Sequence, residues 1–138
     1  MSVANHLATA LYSKLSSGTA LTALLAGTTS VYNMQPPDAA TLDYVVFSVQ
    51  AGGPLNITPS DLREQIYYVR GYSDTSALRA GSIDTQISAL LHHGTLNVTG
   101  YTVMSINRES DFQFVENLPN SDKVYCSGGF YRISLDGS

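Results

Sequence analysis

At 138 residues, with 43% hydrophobic and only 13% charged residues, the chain has the length of one domain and enough apolar content for a packed core, but about half the charge usual for a soluble domain. Its net charge of -4, with 7 Lys and Arg against 11 Asp and Glu and no basic run, excludes a protein that grips nucleic acid by neutralising phosphates. One cysteine, Cys126, excludes an internal disulfide framework, and apolar runs of about four or five residues fall far short of the roughly 20 that a membrane span needs.

The first apolar positions, Val3, Leu7, Ala10, Leu11 and Leu15, have the spacing of a helix with one buried face, which Ser2 can cap. No signal peptide is expected, because no basic segment precedes these residues and Lys14 with Ser16 and Ser17 interrupts them. Ser17-Gly18 breaks the pattern. Thr19 starts a short helical stretch that Gly27 is expected to close in the left-handed conformation. Val31 to Gln35 predicts a short strand stopped by Pro36-Pro37, since proline has no amide hydrogen for a ladder.

Tyr44 to Val49, rich in β-branched and aromatic residues, predicts a strand ended by Gly52-Gly53-Pro54. Leu55 to Ser60 reads as a loop. A second strand follows from Arg63 to Tyr72, apolar on both faces at Ile66 to Val69, as expected inside a sheet. Asp74 or Ser76 then caps a helix whose stripe is Ala77, Ala80, Ile83, Ile87, Leu90 and Leu91, with Gly94 at its end. Leu96 and Val98 predict a short strand, and Tyr101 to Arg108 another. Asp111 to Asp122 is polar with Phe112, Phe114 and Leu118 interspersed, which reads as a loop. In the last strand, Lys123 to Leu135, apolar parity changes between Val124 and Cys126 on one side and Tyr131, Ile133 and Leu135 on the other, so a β-bulge or break is expected at Gly128-Gly129.

This order predicts an α+β fold: a single domain over 1–138 with one mostly antiparallel sheet and helices packed on one face. The N-terminal helix and helical turn occupy 2–27, the long helix about 74–93, and the closing strands 95–136.

No constellation of residues points to chemistry. His92-His93 are adjacent and point in different directions on a helix, which suits a cap at its C-terminal end better than a metal site. No G-x-S-x-G elbow surrounds a serine, the acids are scattered singly, and the glycine pairs lack the lysine of a phosphate loop. No catalytic, cofactor-binding or metal-ligating residue is assigned, and no cofactor is expected. Cys126 reads as a small buried hydrophobe, and a lone cysteine suits folding in a reducing compartment.

The surface signals are of another kind. Ser (17) and Thr (12) outnumber the charges, and a sparsely charged surface fits a subunit that lives in contact with neighbours. Nine tyrosines against four phenylalanines fit either strand propensity or interfaces that are apolar on one side and wet on the other. Gln50 to Leu62 and Asp111 to Lys123 are candidate protein-protein contact segments, through Leu55, Ile57, Phe112, Phe114 and Leu118. The alternative is that these side chains fold back onto the core.

Taken together, the first helix passing into LSSGTALTALLAG, the stretch VYNMQPPDAATLDYVVFSV, the unit YYVRGYSDTSALRAGSIDTQISALLHH and the placement of the closing strands resemble the tail-completion, or tail-terminator, proteins of long-tailed bacteriophages. Asp43 and Tyr72 depart from a proline and a tryptophan common there. The resemblance implies a structural virion protein and no enzyme: a homo-oligomeric ring, usually of six subunits, that stops growth of the tail tube and joins tail to head. It implies as partners the tail tube protein and a head-closure or connector protein, with DNA passing through the lumen without specific binding and no membrane. It places the protein in the tail or neck of the virion, assembled in the host cytoplasm. A head-closure or connector adaptor of the neck is one alternative, and a small α+β ligand-binding domain or enzyme another.

Overall fold

The computed structural model describes residues 3–37, 40–54, 62–117 and 123–137. Helices α1 (Val3–Ser16) and α2 (Thr19–Thr22) follow the expected helix and helical turn. Five strands, β1 (Val31–Asn33), β2 (Tyr44–Pro54), β3 (Leu62–Ser73), β4 (Thr102–Asn117) and β5 (Lys123–Asp136), form one sheet in the order β1-β2-β3-β5-β4. Only β1 and β2 pair in parallel, so the sheet is mostly antiparallel, as the sequence predicts. Helix α3 (Ala77–Leu91) lies between β3 and β4 in the chain, and its N-cap is Ser76, whose hydroxyl accepts from the Arg79 amide at 3.1 Å.

Strand alternation sends Val45, Phe47, Tyr67, Val69, Tyr131, Ile133 and Leu135 to one face of the sheet, where they bury against Ile83, Ile87 and Leu91 of α3 and Leu7, Leu11 and Leu15 of α1. Each such side chain removed from water contributes roughly 2 kcal/mol, so this layer dominates the stability of the fold. Gly71 allows the approach of α3: a Cβ there would lie 2.4 Å from Ile83 Cγ2.

Several details differ from the expectations. β5 carries no bulge: its register with β3 runs unbroken from Ser73↔Tyr125 to Leu62↔Asp136, through Gly128 and Gly129. The parity change arises because β5 is covered on both faces, with Val124 and Cys126 buried on one and Tyr131, Ile133 and Leu135 on the other. The two glycines serve close approach instead. A Cβ on Gly128 would meet Val69 O at 2.4 Å, and one on Gly129 would meet Arg108 Nε and Ser110 O at 2.7 Å. The irregularities fall on β4, between Val103 and Ser105 and between Arg108 and Ser110, and on β2 between Val49 and Ala51.

β4 also continues through Asn117, so the first half of the predicted 111–122 loop is strand. From Asp111 to Asn117 every residue but Phe112 is exposed, so burial imposes no strong apolar alternation on the sequence. Leu96 and Val98 form no strand, and only an isolated bridge joins Val98 to Tyr101. Gly27 is not left-handed, and the left-handed residue closing α3 is His93 (φ 59) rather than Gly94.

Candidate functional site

On the face of the sheet opposite the helices, the even-numbered residues of β2, β3 and β5 form an aromatic layer. Tyr44 packs against Tyr32 and Tyr72, and Tyr68 packs against Phe130 and Phe112, with centroid separations of 4.2–5.7 Å. Phe114 continues the row beyond Phe112 at 6.2 Å. Arg70 sits in the middle, its guanidinium 4.2 Å from the Tyr68 ring centroid, with Nε donating to Tyr72 Oη at 2.7 Å and Nη1 to Ser48 Oγ at 3.2 Å. Beneath these rings Cys126 is 2% exposed, and desolvation pushes its thiol up to about 12. The same cause pushes Tyr72 up to about 12. Aromatic rings with an arginine among them are the composition of binding hot spots.

The cleft of about 840 Å³ between α3 and β4 holds Asp84, His92, Arg108, Asp111, Gln113 and Ser127. Its charged groups bind each other. Arg108 donates to both oxygens of Asp84 (2.7 and 2.8 Å), to Asp111, to Tyr131 Oη (2.9 Å) and to the Gly128 carbonyl (2.9 Å), which occupies all five of its N–H groups. Hydrogen bonding to Asp84 raises the Arg108 pKa further. Ser127 donates to Asp84 as well, at 3.1 Å. The arrangement clamps the helix to the edge strand. A second clamp, Arg79 to Asp43 at 3.1 Å and to the Leu24 carbonyl at 2.9 Å, holds α3 to the chain preceding β2. Among the described residues no group of three or more His, Cys, Asp or Glu is placed to hold a metal.

The two edges of the sheet differ. On β4, the Ile106 carbonyl accepts from the His93 amide at 2.8 Å and the Arg108 amide donates to His92 Nδ1 at 3.0 Å, so the end of α3 covers this part of the edge. These bonds point the backbone groups of Ile106 and Arg108 away from β5. Carried past the bulge through the partners Gly129, Ser127, Tyr125 and Lys123, the alternation points those of Asp111, Gln113, Val115 and Asn117 outward too. Outside the sheet ladder, no backbone–backbone hydrogen bond among the described residues reaches these four. Beside them, Ala77, Gln113, Phe114, Val115, Tyr125 and Cys126 line a mostly apolar cleft of about 260 Å³.

On the opposite edge, β1 ends in a γ-turn in which the Gln35 amide donates to the Asn33 carbonyl at 2.9 Å. Its central residue, Met34, takes φ 70 and is 65% exposed. A non-glycine residue in this region is strained, and the turn presents a large apolar side chain to solvent.

Of the five predicted contact residues, Leu55, Ile57 and Leu118 lie outside the described residues. Phe112 and Phe114 stand side by side on β4, Phe112 half-buried among the rings and Phe114 40% exposed. The sequence reading misses Met34 and Val115, which no periodic pattern marks, and Arg70, whose role depends on cross-strand neighbours.

Comparison with known proteins adds three findings. The model of the family described as Tail completion protein gp17 matches residues 9–125. A chain in a solved structure of the virion of a native gene transfer agent particle has a TM-score of 0.76 at 18% identity, with 99% of this chain and 98% of that one covered, a likeness of fold. No curated protein matches.

Proposed function

This chain belongs to the tail completion protein gp17 family, a structural protein of the virion tail, and from that premise we propose that its copies close into a ring, of six subunits, that caps the tail tube, ends its growth and joins tail to head. The observation that carries this reading is the placement of the two hairpin ends. β2 and β3 finish their pairing at Pro54↔Arg63, beside Leu62↔Asp136, while β4 and β5 finish at Asn117↔Lys123, at the other end of the sheet. The strand ends of the two hairpins thus lie at opposite ends of one sheet. A subunit built this way can meet one partner above and an unlike one below, the tail tube protein and the connector.

Unlike edges support the ring itself. A head-to-tail contact between two different surfaces of the same chain closes when its rotation closes, and the ring then has two different faces. The low count of cations supports passage of DNA through the lumen without a grip on it.

Particles assembled without the protein test the reading. Electron microscopy is expected to show tails of uncontrolled length and heads without tails, and supplying the protein restores both. Normal joined particles in its absence would overturn the proposal. A ring imaged on the head side of the joint would favour the neck adaptor instead.

A further inference from the structure

We propose that the contact between neighbouring copies seats Met34 of one copy in the apolar cleft beside the β4 edge of the next, with the open backbone of residues 111–117 turned to the incoming β1 edge. The inference deepens the ring reading, from which it takes only that copies meet one another.

Three observations converge on it. Met34 is held in a strained, positive-φ turn with most of the residue exposed, an arrangement that packing within its own chain does not explain. The cleft of Ala77, Phe114, Val115, Tyr125 and Cys126 has almost wholly apolar walls and is large enough for an unbranched thioether side chain. The two features lie on the first and last strands of the sheet, β1 and β4, so one copy cannot bring its own Met34 to its own cleft. An apolar projection that fits a hollow elsewhere on the same molecule is the general form of a heterologous contact.

The backbone supports the same partner. α3 covers β4 at Ile106 and Arg108, whereas among the described residues no backbone hydrogen bond from outside the sheet reaches Asp111, Gln113, Val115 or Asn117, whose outward amides and carbonyls are spaced for another strand. Phe112 to Val115 contains no proline and no charge, the devices by which edges are otherwise protected. Val115 is 47% exposed beside the cleft, ready for contact.

Light scattering on the full-length chain and two variants tests the proposal. Met34→Gly removes the side chain and relieves the positive φ, so it folds; Val115→Pro removes an outward amide without touching the ladder to β5. Wild type is expected to form a closed multimer and each variant alone a monomer with an unchanged circular dichroism spectrum. Mixed, the variants form a 1:1 dimer and nothing larger, because each keeps the one edge the other lacks, and Met34→Leu assembles like wild type. A wild type that stays monomeric, a multimer that survives Met34→Gly, or a two-fold dimer lost only in Val115→Pro overturns the contact. Phage tails of normal length built with the Met34→Gly monomer would instead overturn the ring reading and leave the contact between copies standing.

Discussion

Gly128 faces backbone, and Gly129 the Arg108 guanidinium and the Ser110 carbonyl, rather than solvent. A methyl group on Gly128 would lie 2.4 Å from the Val69 carbonyl oxygen and 2.7 Å from Arg70 Cα, neither of which can turn aside. Gly128→Ala is expected to cost about 2 kcal/mol or more and to lower Tm by roughly 8 °C, readable by calorimetry. These glycines also show where residue patterns mislead. Alternation along Lys123 to Leu135 identifies the strand correctly, yet its change of parity has two physical sources, an inserted residue or a second covered face, and only the aromatic layer over Cys126 decides for the second. Burial of ionisable groups on both faces of the sheet, Cys126 and Tyr72 on one and Tyr67 on the other, makes stability sensitive to alkali. Cys126 is raised from 9.0 to about 12, and Tyr67 and Tyr72 from 10.0 to about 12, all chiefly by desolvation. In the unfolded chain they lose protons near their ordinary values while the fold holds them protonated. Their contribution is therefore complete below pH 9 and falls as pH rises toward 12. Urea denaturation between pH 8 and 11 is expected to show a midpoint falling from about pH 9. Cys126→Ala should remove the first part of that fall and leave the part that starts near pH 10.

At the level of elements, α3 is the most legible piece of the fold. Of its predicted stripe, Ala80, Ile83, Ile87 and Leu91 are buried and Leu90 partly so, as the spacing implies, while Ala77 in the first turn is exposed. β4 is the least legible, because two bulges interrupt its first half and nearly every residue from Asp111 to Asn117 is exposed, so burial sets no apolar alternation there. What joins these elements is the Arg108–Asp84 pair, whose side chains are only 13% and 14% exposed. Asp84→Ala leaves the guanidinium charge among protein groups with its principal partner gone and is expected to lower stability by about 3 kcal/mol in denaturant titration. Pairing Asp84→Leu with Arg108→Met removes both charges and should recover most of that loss. If the double variant is no more stable than the single one, Arg108 matters for its remaining bonds to Tyr131 and Gly128 rather than for the pair.

For the whole molecule, the sequence conveyed the fold class, the order of elements and the sparse charge. It could not convey which surfaces remain bare, because exposure of Met34 or of the β4 edge is decided by what other segments fail to cover. Two hairpins leaving opposite ends of one sheet have a further, mechanical result. Force applied between the two hairpin ends would enter at one end of the subunit and leave at the other, along strands about 46 Å long in the case of β5. Hydrogen bonds in an antiparallel ladder lie across that direction. Tension would strain all the rungs of β3 and β5 together, as shear strains a lap joint, instead of opening them one at a time like a zip. Such a subunit yields late and all at once.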